Sequence, residues 1–261
     1  MKCTDMKQRI LAIGAHPDDI EFGMSGTMIL LAKAGCDIHY MNVANGSCGT
    51  AEYDTDTIVS IRLEEAKNAA QSIGATFHPP LVPDLEIYYT KELVARLSSV
   101  VRDVAPDILL IPSPQDYMED HTNTCRLAVT AAFTRGMQNY VVDPPRAPVN
   151  NEVTVYHAQP YGNRDAMNSL VYPDYFIDIG GPLKKKTDML AKHQSQKTWL
   201  DTSQGFNAYL DIMKEHARDL GRMSKQCEYA EGWRLHNPVG FCDIEANPMA
   251  DLLPEYFYRK E

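Results

Sequence analysis

Apolar runs alternate with amphipathic segments along the first half of the chain. Short apolar runs bounded by turn residues are typical of strands buried on both faces, and apolar residues at helical spacing are typical of helices. Alternating strands and helices indicate parallel strands joined by crossover helices, so the pattern predicts an α/β fold. The predicted strands are RILAIGA, DIHYMNVA, a short one near ATFH, and DILLIPS; the predicted helices cover roughly residues 23–34, IVSIRLEEAKNAAQSIG, KELVARLSSVVRDVA and a segment starting near His121.

Residues with special backbone preferences mark the ends of these helices. Gly35 and Gly74 follow two of them, and glycine is the usual C-terminal cap. Thr90 can cap the start of the next helix, and Pro106 ends it. With these boundaries, the alternation of strands and helices predicts a doubly wound, mostly parallel sheet with helices on both faces and strand order 3-2-1-4-5.

Beyond residue 140 the pattern becomes rich in turns, as in VVDPPRAPVNN. Strands are predicted at EVTVYHA and DYFIDIG, and helices near residues 183–193 and 205–222. We expect residues 1–261 to form a single domain in which residues 150–261 complete the pocket, although residues 144–151 are also compatible with a linker.

Charge and composition narrow the class of partner. With 35 acidic against 25 basic residues, the formal charge of -10 argues against binding to nucleic acid or to anionic membranes, and favours a small-molecule substrate. The longest apolar run, MILLA, is far too short to span a bilayer, and the first ten residues lack the apolar core of a signal peptide. Six cysteines without a CxxC pair indicate reduced thiols. We expect a cytoplasmic protein.

Polar side chains follow the first and fourth predicted strands. His16, Asp18 and Asp19 come directly after RILAIGA, and His121 follows DILLIPS. In strand order 3-2-1-4-5 these two strands are neighbours where the winding reverses, so the loops after them open a crevice. His16, Asp19 and His121 would supply two imidazoles and a carboxylate, which suits Zn²⁺ and leaves a position open for water. The pattern predicts a hydrolytic zinc site.

The neighbouring acids have different predicted roles. Because adjacent side chains diverge, Asp18 can face the bound water and accept its proton as general base. Asp120 can orient an imidazole by accepting a hydrogen bond from the ring nitrogen that does not face the metal. The stretch HPDD is also compatible with a simple helix start, and DYMEDH with a solvated loop. Their joint position after strands one and four favours the site.

Other chemistry is less well supported. The chain contains neither GxGxxG nor GxxxxGK[ST], so binding of a nucleotide cofactor through those loops is not indicated, and it contains no GxSxG nucleophile elbow. Four histidines lack ligand spacing and are expected on the surface or in the core: His78, His157, His216 and His236.

Four motifs together resemble those of the PIG-L or LmbE-like family of zinc-dependent N-deacetylases. They are AHPDD after the first strand, the RxxE of residues 62–65, PDILL before an acidic loop ending in DH, and HQSQ at residues 193–196. The similarity runs from about Ile10 to the YAEGWR segment at Tyr229. It implies a Rossmann-like fold, one Zn²⁺ per chain, a homo-oligomer, and removal of acetyl from an N-acetylglucosamine-type amide in a sugar or its conjugate.

The resemblance also assigns roles by position. It implies that His16, Asp19 and His121 bind the metal and that Asp18 is the general base. Two further positions are Arg62, which matches a substrate-contacting arginine, and His193, for which a structural role is favoured over a pocket-lining one.

Two positions depart from the family pattern. Met118 stands where relatives carry a histidine that helps to stabilise the charged intermediate, and a thioether cannot do so. Ser47 stands where relatives carry a substrate-contacting glutamate, and we place it with Arg62 among the substrate-binding candidates. Tyr117 or a histidine from the second half is the expected compensation for Met118.

Three functions remain open from the sequence. The first is the zinc N-deacetylase, and the second, also found in this family, is a zinc hydratase that adds water to an unsaturated acid. The third is a sugar-binding protein that has lost turnover. The intact Asp18 argues against the third function, whereas Met118 keeps it open.

Overall fold

A single sheet of eight strands runs through the molecule. The computed structural model describes residues 7–196 and 208–260. The strand order is β3-β2-β1-β4-β5-β7-β6-β8. The strands are β1 (Arg9–Gly14), β2 (Asp37–Asn42), β3 (Thr76–His78), β4 (Ile108–Ile111), β5 (Thr154–Ala158), β6 (Tyr175–Asp178), β7 (Ala230–Leu235) and β8 (Phe257–Arg259).

The first five strands are parallel and lie in the predicted order 3-2-1-4-5. The other three pair antiparallel and extend the sheet beyond β5. The α/β class and the predicted doubly wound sheet are confirmed. β7 and β8 were not predicted from the sequence; β7 carries Glu231 and Gly232 where an apolar run would be expected.

The helices cover the predicted segments. Their bounds are α1 (Asp19–Gly23), α2 (Ser25–Lys33), α3 (Thr55–Gln71), α4 (Lys91–Val104), α5 (Glu119–Phe133), α6 (Leu183–Leu190), α7 (Ala208–Ser224) and α8 (Pro248–Leu252). Residues 205–207 of the helix predicted over 205–222 lie outside the described residues.

Local signals account for most of the helix ends. The Thr90 hydroxyl accepts the Leu93 N–H at 3.1 Å and caps α4. Gly35 and Gly74 have φ of +91° and +74°, which only glycine adopts without strain. The helix α3 begins three residues before the predicted Ile58, because the Asp54 carboxylate caps it by accepting the Thr57 N–H at 2.8 Å.

Each face of the sheet has its own hydrophobic core. Along β1, Ile10 and Ala12 pack into one core, and Leu11 and Ile13 pack into the other. The first core includes residues of α2, α3 and α7, and the second includes residues of α4 and α5. Helices therefore cover both faces, and the buried β1 holds the loop that follows it in a fixed place.

Within residues 7–196 and 208–260, no helix is both long and apolar enough to cross a bilayer. The five cysteines in this part of the chain are free thiols. Cys3 lies outside the described residues.

Candidate metal and catalytic site

The loops after β1 and β4 bring His16, Asp19 and His121 together. One ligand atom from each lies within 4.8 Å of the others, and the described residues contain no other such group of three. Asp19 Oδ2 lies 3.7 Å from His16 Nδ1 and 3.4 Å from His121 Nε2. These are the three residues that the sequence predicted to meet in the crevice between strands one and four.

The HPDD turn fixes the Asp19 carboxylate. Asp18 adopts a left-handed conformation, with φ of 111° and ψ of −22°, and α1 begins at the next residue. Asp19 Oδ2 then accepts the backbone N–H groups of Ala15 at 2.9 Å and His16 at 2.8 Å. A positive φ at a non-glycine residue is uncommon and clusters at functional sites. The turn is thus a helix start that also points the two acids in different directions.

A carboxylate lies behind each imidazole. His16 Nε2 is 2.9 Å from Asp120 Oδ2, and His121 Nδ1 is 3.1 Å from Asp116 Oδ1. If these nitrogens donate to the carboxylates, Nδ1 of His16 and Nε2 of His121 are left with lone pairs that face Asp19. Carboxylates behind ligating imidazoles are the usual arrangement in metal sites, since they fix the tautomer and the ring orientation.

Backbone groups hold both carboxylates in turn. Asp120 Oδ2 accepts the Leu85 N–H at 2.8 Å, and Asp116 Oδ1 accepts the Met118 N–H at 3.0 Å. Asp120 occupies the position that the sequence predicted for it. Asp116 was not predicted as a site residue. The signal for it in the sequence was its place in the same acidic loop, five residues before His121.

The electrostatics of the cluster favour a positive charge between the rings. Burial lowers the pKa of His16, but hydrogen bonds to Asp120 and Asp19 outweigh it and raise the pKa to about 9. Burial also opposes the charged form of His121, yet Asp19 and Asp116 raise its pKa well above its usual range. A bound cation would supply the charge that these protons otherwise provide. The donor set therefore fits a divalent metal.

Asp18 stands apart from this group of three residues, in the same cavity wall. Its Oδ2 accepts a hydrogen bond from the Tyr209 hydroxyl at 2.5 Å, and its Oδ1 lies 3.7 Å from Arg62 Nη2. Burial raises the pKa of Asp18, and the Arg62 guanidinium opposes that rise. A buried carboxylate with a raised pKa is suited to accept and release a proton.

Arg62 links two loops of the site. It is 3% exposed, and it donates to the carbonyl oxygens of Pro17 at 2.5 Å and Gly46 at 3.4 Å. A Cβ at Gly49 would lie 2.2 Å from Nη1, so glycine is needed for this close approach. Arg62 lines the cavity, but its hydrogen bonds hold the HPDD and NGSCG loops together and direct the guanidinium towards Asp18.

Ser47 and His193 lie behind the cavity wall. The Ser47 hydroxyl accepts the Asp84 N–H at 3.1 Å, and the wall at this loop is formed by Cys48 and Gly49. Ser47 was expected to contact substrate, but this bond turns its side chain towards the Asp84 backbone. His193 is fully buried, with Nε2 3.3 Å from Glu21 Oε2, which fits the structural one of its two expected roles.

The cavity in front of the cluster has a volume of about 410 Å³. Phe22, Tyr117 and Tyr161 form an aromatic side of its wall, with ring centroids 5.3 Å apart for Phe22 and Tyr161 and 6.1 Å apart for Tyr117 and Tyr161. Tyr161 and Gln159 were not identified from the sequence, although they directly follow β5 at the same edge of the sheet as the metal cluster.

Of the two expected substitutes for the missing histidine at Met118, the structure brings Tyr117 to the cavity. Tyr117 and Met118 both line the cavity, and the Tyr117 ring lies edge-on to His121 at 6.0 Å. Tyr117 is half exposed, and the partial burial of its phenol together with the nearby Asp19 raises its pKa to about 12, so the phenol keeps its proton. The four second-half histidines are absent from the described cavity wall: His157, His193, His216 and His236.

The histidines that were not expected to bind the metal contact other side chains or are buried. His78 Nε2 lies 2.9 Å from His39 Nδ1, and His157 Nε2 lies 2.9 Å from His236 Nδ1. Burial lowers the pKa of His157 to about 4 and that of His216 to about 3.

Known proteins share the segment that carries this geometry. The family model described as GlcNAc-PI de-N-acetylase (PIG-L) matches residues 11–133. Diacetylchitobiose deacetylase of Thermococcus kodakarensis is 29% identical over 239 residues, which covers 89% of this chain and 84% of that protein. 4-Oxalmesaconate hydratase of Pseudomonas putida is 27% identical over 184 residues, covering 67% of this chain and 69% of that protein.

A solved structure shares the fold. N,N'-diacetylchitobiose deacetylase from Pyrococcus horikoshii superposes with a TM-score of 0.75 at 23% identity, covering 89% of this chain and 85% of that one. The residues matched by the family model include both loops of the metal cluster, from His16 to His121. The chain is thus similar to PIG-L, or LmbE-like, proteins in the segment that carries the cluster, and it shares the fold of a deacetylase of known structure.

Proposed function

We propose that this protein is a zinc-dependent hydrolase that removes the acetyl group from an N-acetylglucosamine-type amide. The observation that carries the proposal is the cluster of His16, Asp19 and His121 with Asp18 held separately beside it. Two relatives named as diacetylchitobiose deacetylases support the substrate class.

The chain supplies a set of ligands for one zinc ion. His16 Nδ1, Asp19 Oδ2 and His121 Nε2 would hold it, while Asp120 and Asp116 fix the rings. When bound, Zn²⁺ lowers the pKa of a water molecule and polarises the amide carbonyl. A set of three protein ligands is typical of catalytic zinc sites, so these residues would suit a catalytic rather than a structural ion.

Asp18 transfers the proton in this mechanism, first as general base and then as general acid. Its carboxylate accepts a proton from the attacking water, whose oxygen forms a bond to the amide carbon. As the carbon–nitrogen bond breaks, Asp18 returns the proton to the departing amine, and the products are acetate and a free amine. The Arg62 guanidinium, 3.7 Å from Asp18 Oδ1, favours the charged form of this carboxylate.

Tyr117 takes over the role that Met118 cannot fill. Its neutral phenol donates a hydrogen bond to the oxygen that gains negative charge as the water attacks. Its edge-on contact with His121 and its raised pKa support this role.

The cavity wall favours a neutral sugar over an unsaturated acid. Its volume of about 410 Å³ suits a small ligand, and its aromatic side offers apolar faces to a sugar ring. Among the described lining residues, Arg62 is the only arginine or lysine, and backbone carbonyls and Asp18 already occupy it. The hydratase, supported by the Pseudomonas putida relative, is the second candidate, but the described wall offers little to bind carboxylates.

We further infer a single domain over residues 1–261, with residues 150–261 completing the pocket. The sheet shared by both halves supports this, as does the presence of Gln159, Tyr161 and Tyr209 in the wall. A cytoplasmic location and a homo-oligomer remain expectations; light scattering tests the second.

Acetate release tests the proposed function. The zinc-loaded protein is incubated with a panel of N-acetylated amino sugars and disaccharides, and separately with unsaturated di- and tricarboxylic acids. We expect acetate and free amine in equal amounts from at least one sugar, at a rate lower by about 10²-fold or more with the Asp18→Asn variant. Hydration of an acid without acetate release would establish the hydratase instead. Saturable sugar binding without either product would establish the binding protein.

A further inference from the structure

Tyr209 reaches Asp18 from a distant part of the chain. It lies in the first turn of α7, 191 residues from Asp18, and its side chain lines the cavity while remaining 8% exposed. Its hydroxyl donates to Asp18 Oδ2 at 2.5 Å. This length is typical of a hydrogen bond from a hydroxyl to an ionised carboxylate, which is stronger than a bond between neutral groups.

This bond restrains the rotation of the Asp18 carboxylate. The backbone turn sets only the direction of the Cα–Cβ bond, and the final torsion of an aspartate is broad and has no sharp minimum of its own. On the Oδ1 side, Arg62 is 3.7 Å away, beyond hydrogen-bond distance. Among the described residues, Tyr209 is the one that donates a hydrogen bond to this carboxylate.

We propose that Tyr209 is a positioning residue that fixes the rotation of the Asp18 carboxylate towards the attacking water. The inference rests on the proposed function, in which Asp18 is the general base. The phenol itself exchanges no proton with the substrate. Burial and the adjacent Asp18 carboxylate raise the pKa of Tyr209 well above its usual range, so the hydroxyl remains a donor.

The ring and the hydroxyl of Tyr209 can be tested separately. The ring packs with Leu190 and Met213 in a small hydrophobic cluster, against which Phe22 also packs. Tyr209→Phe keeps this packing and removes only the hydroxyl. Tyr156→Phe is a matched control, because Tyr156 is also buried and its hydroxyl donates to Asn247 Oδ1 at 2.7 Å, outside the cavity wall.

Steady-state kinetics and a double-mutant cycle test the role. We expect Tyr209→Phe to lower kcat by about 10- to 100-fold, the scale of one lost hydrogen bond to a charged group, with KM and zinc content nearly unchanged. Tyr156→Phe should change thermal stability and leave kcat alone. In an Asp18→Asn background, Tyr209→Phe should have no further effect, because the two residues act as one unit. Multiplicative losses in the double variant would overturn the inference.

Crystal structures give a readout that needs no turnover. We expect the Asp18 carboxylate to rotate away from its wild-type orientation in zinc-loaded Tyr209→Phe and to keep it in Tyr156→Phe. An unchanged carboxylate in Tyr209→Phe would overturn the positioning role even if the enzyme is a deacetylase. Full acetate release by Asp18→Asn would instead overturn the proposed function, and the crystal structures would still decide whether Tyr209 orients the carboxylate.

Discussion

Asp116→Asn tests whether the carboxylate behind His121 sets the affinity for the metal. Asp116 Oδ1 lies 3.1 Å from His121 Nδ1 and also accepts the Met118 N–H at 3.0 Å. The amide oxygen of asparagine can keep both contacts, so this variant removes the charge and little else. Asp116→Ala removes the charge and both contacts.

The expected magnitude follows from these contacts. Loss of a partner behind a ligand typically weakens metal affinity by about 10- to 100-fold. We expect the free energy of zinc binding to weaken by about 1.4 kcal/mol in Asp116→Asn, near the lower end of this range. In Asp116→Ala it should weaken by about 2.8 kcal/mol, near the upper end. The alanine variant should also unfold more easily, by about 1–3 kcal/mol, because it leaves the buried donors unpaired.

Zinc competition against a chelator of known affinity measures the effect. Glu119→Gln is the control, since it makes the same change of charge three residues further on at an exposed position. The control should bind zinc like the wild type, because exposed charges are well screened. If Asp116→Asn binds zinc as tightly as Glu119→Gln does, the carboxylate behind His121 does not tune the site.

The remaining predictions concern three other parts of the molecule. Tyr117→Phe should lower kcat by about 10²-fold, the scale of one lost oxyanion donor, without loss of zinc; an unchanged kcat would remove Tyr117 from the mechanism. Gly49→Ala should lower both activity and melting temperature, because its Cβ would displace the buried Arg62 guanidinium that lies beside Asp18; wild-type values for both would contradict the close packing. In the metal-free protein, the free energy of unfolding should fall as pH drops from 6.5 to about 4, since His157 is held neutral in the fold by burial and takes up a proton on unfolding. Urea titrations at several pH values should show that the free energy of unfolding depends less strongly on pH in His157→Gln than in the wild type.

The metal-binding part of the proposed site could be predicted from local sequence. β1 and β4 are short apolar runs buried on both faces, so the parallel order and the crevice between them could be predicted from pattern alone. His16 and Asp19 come just after β1, and His121 lies in the first turn of the helix that follows β4, which is why their meeting was predictable. Asp120 was predictable as well, because it is the immediate neighbour of a ligand.

Other parts depend on contacts between distant segments. Tyr209 meets Asp18 across 191 residues, and no spacing in the sequence encodes that encounter. In β7, Glu231 is 2% exposed because Lys186 Nζ and the backbone N–H groups of Gly26 and Thr27 all donate to it. A buried acid with partners this far away looks like a surface residue in the sequence, so the strand was missed.

The two adjacent aspartates give the most direct test of the mechanism. Zinc content and acetate release are measured side by side for Asp18→Asn and Asp19→Asn. Asp18→Asn should keep its zinc and lose turnover by about 10²-fold or more, the scale of a lost general base. Asp19→Asn should lose zinc first and regain part of its activity when zinc is added in excess, because its amide oxygen can still coordinate without the charge. Loss of zinc from Asp18→Asn with retention in Asp19→Asn would invert the assignment, and zinc and activity retained in both would show that this turn only starts a helix.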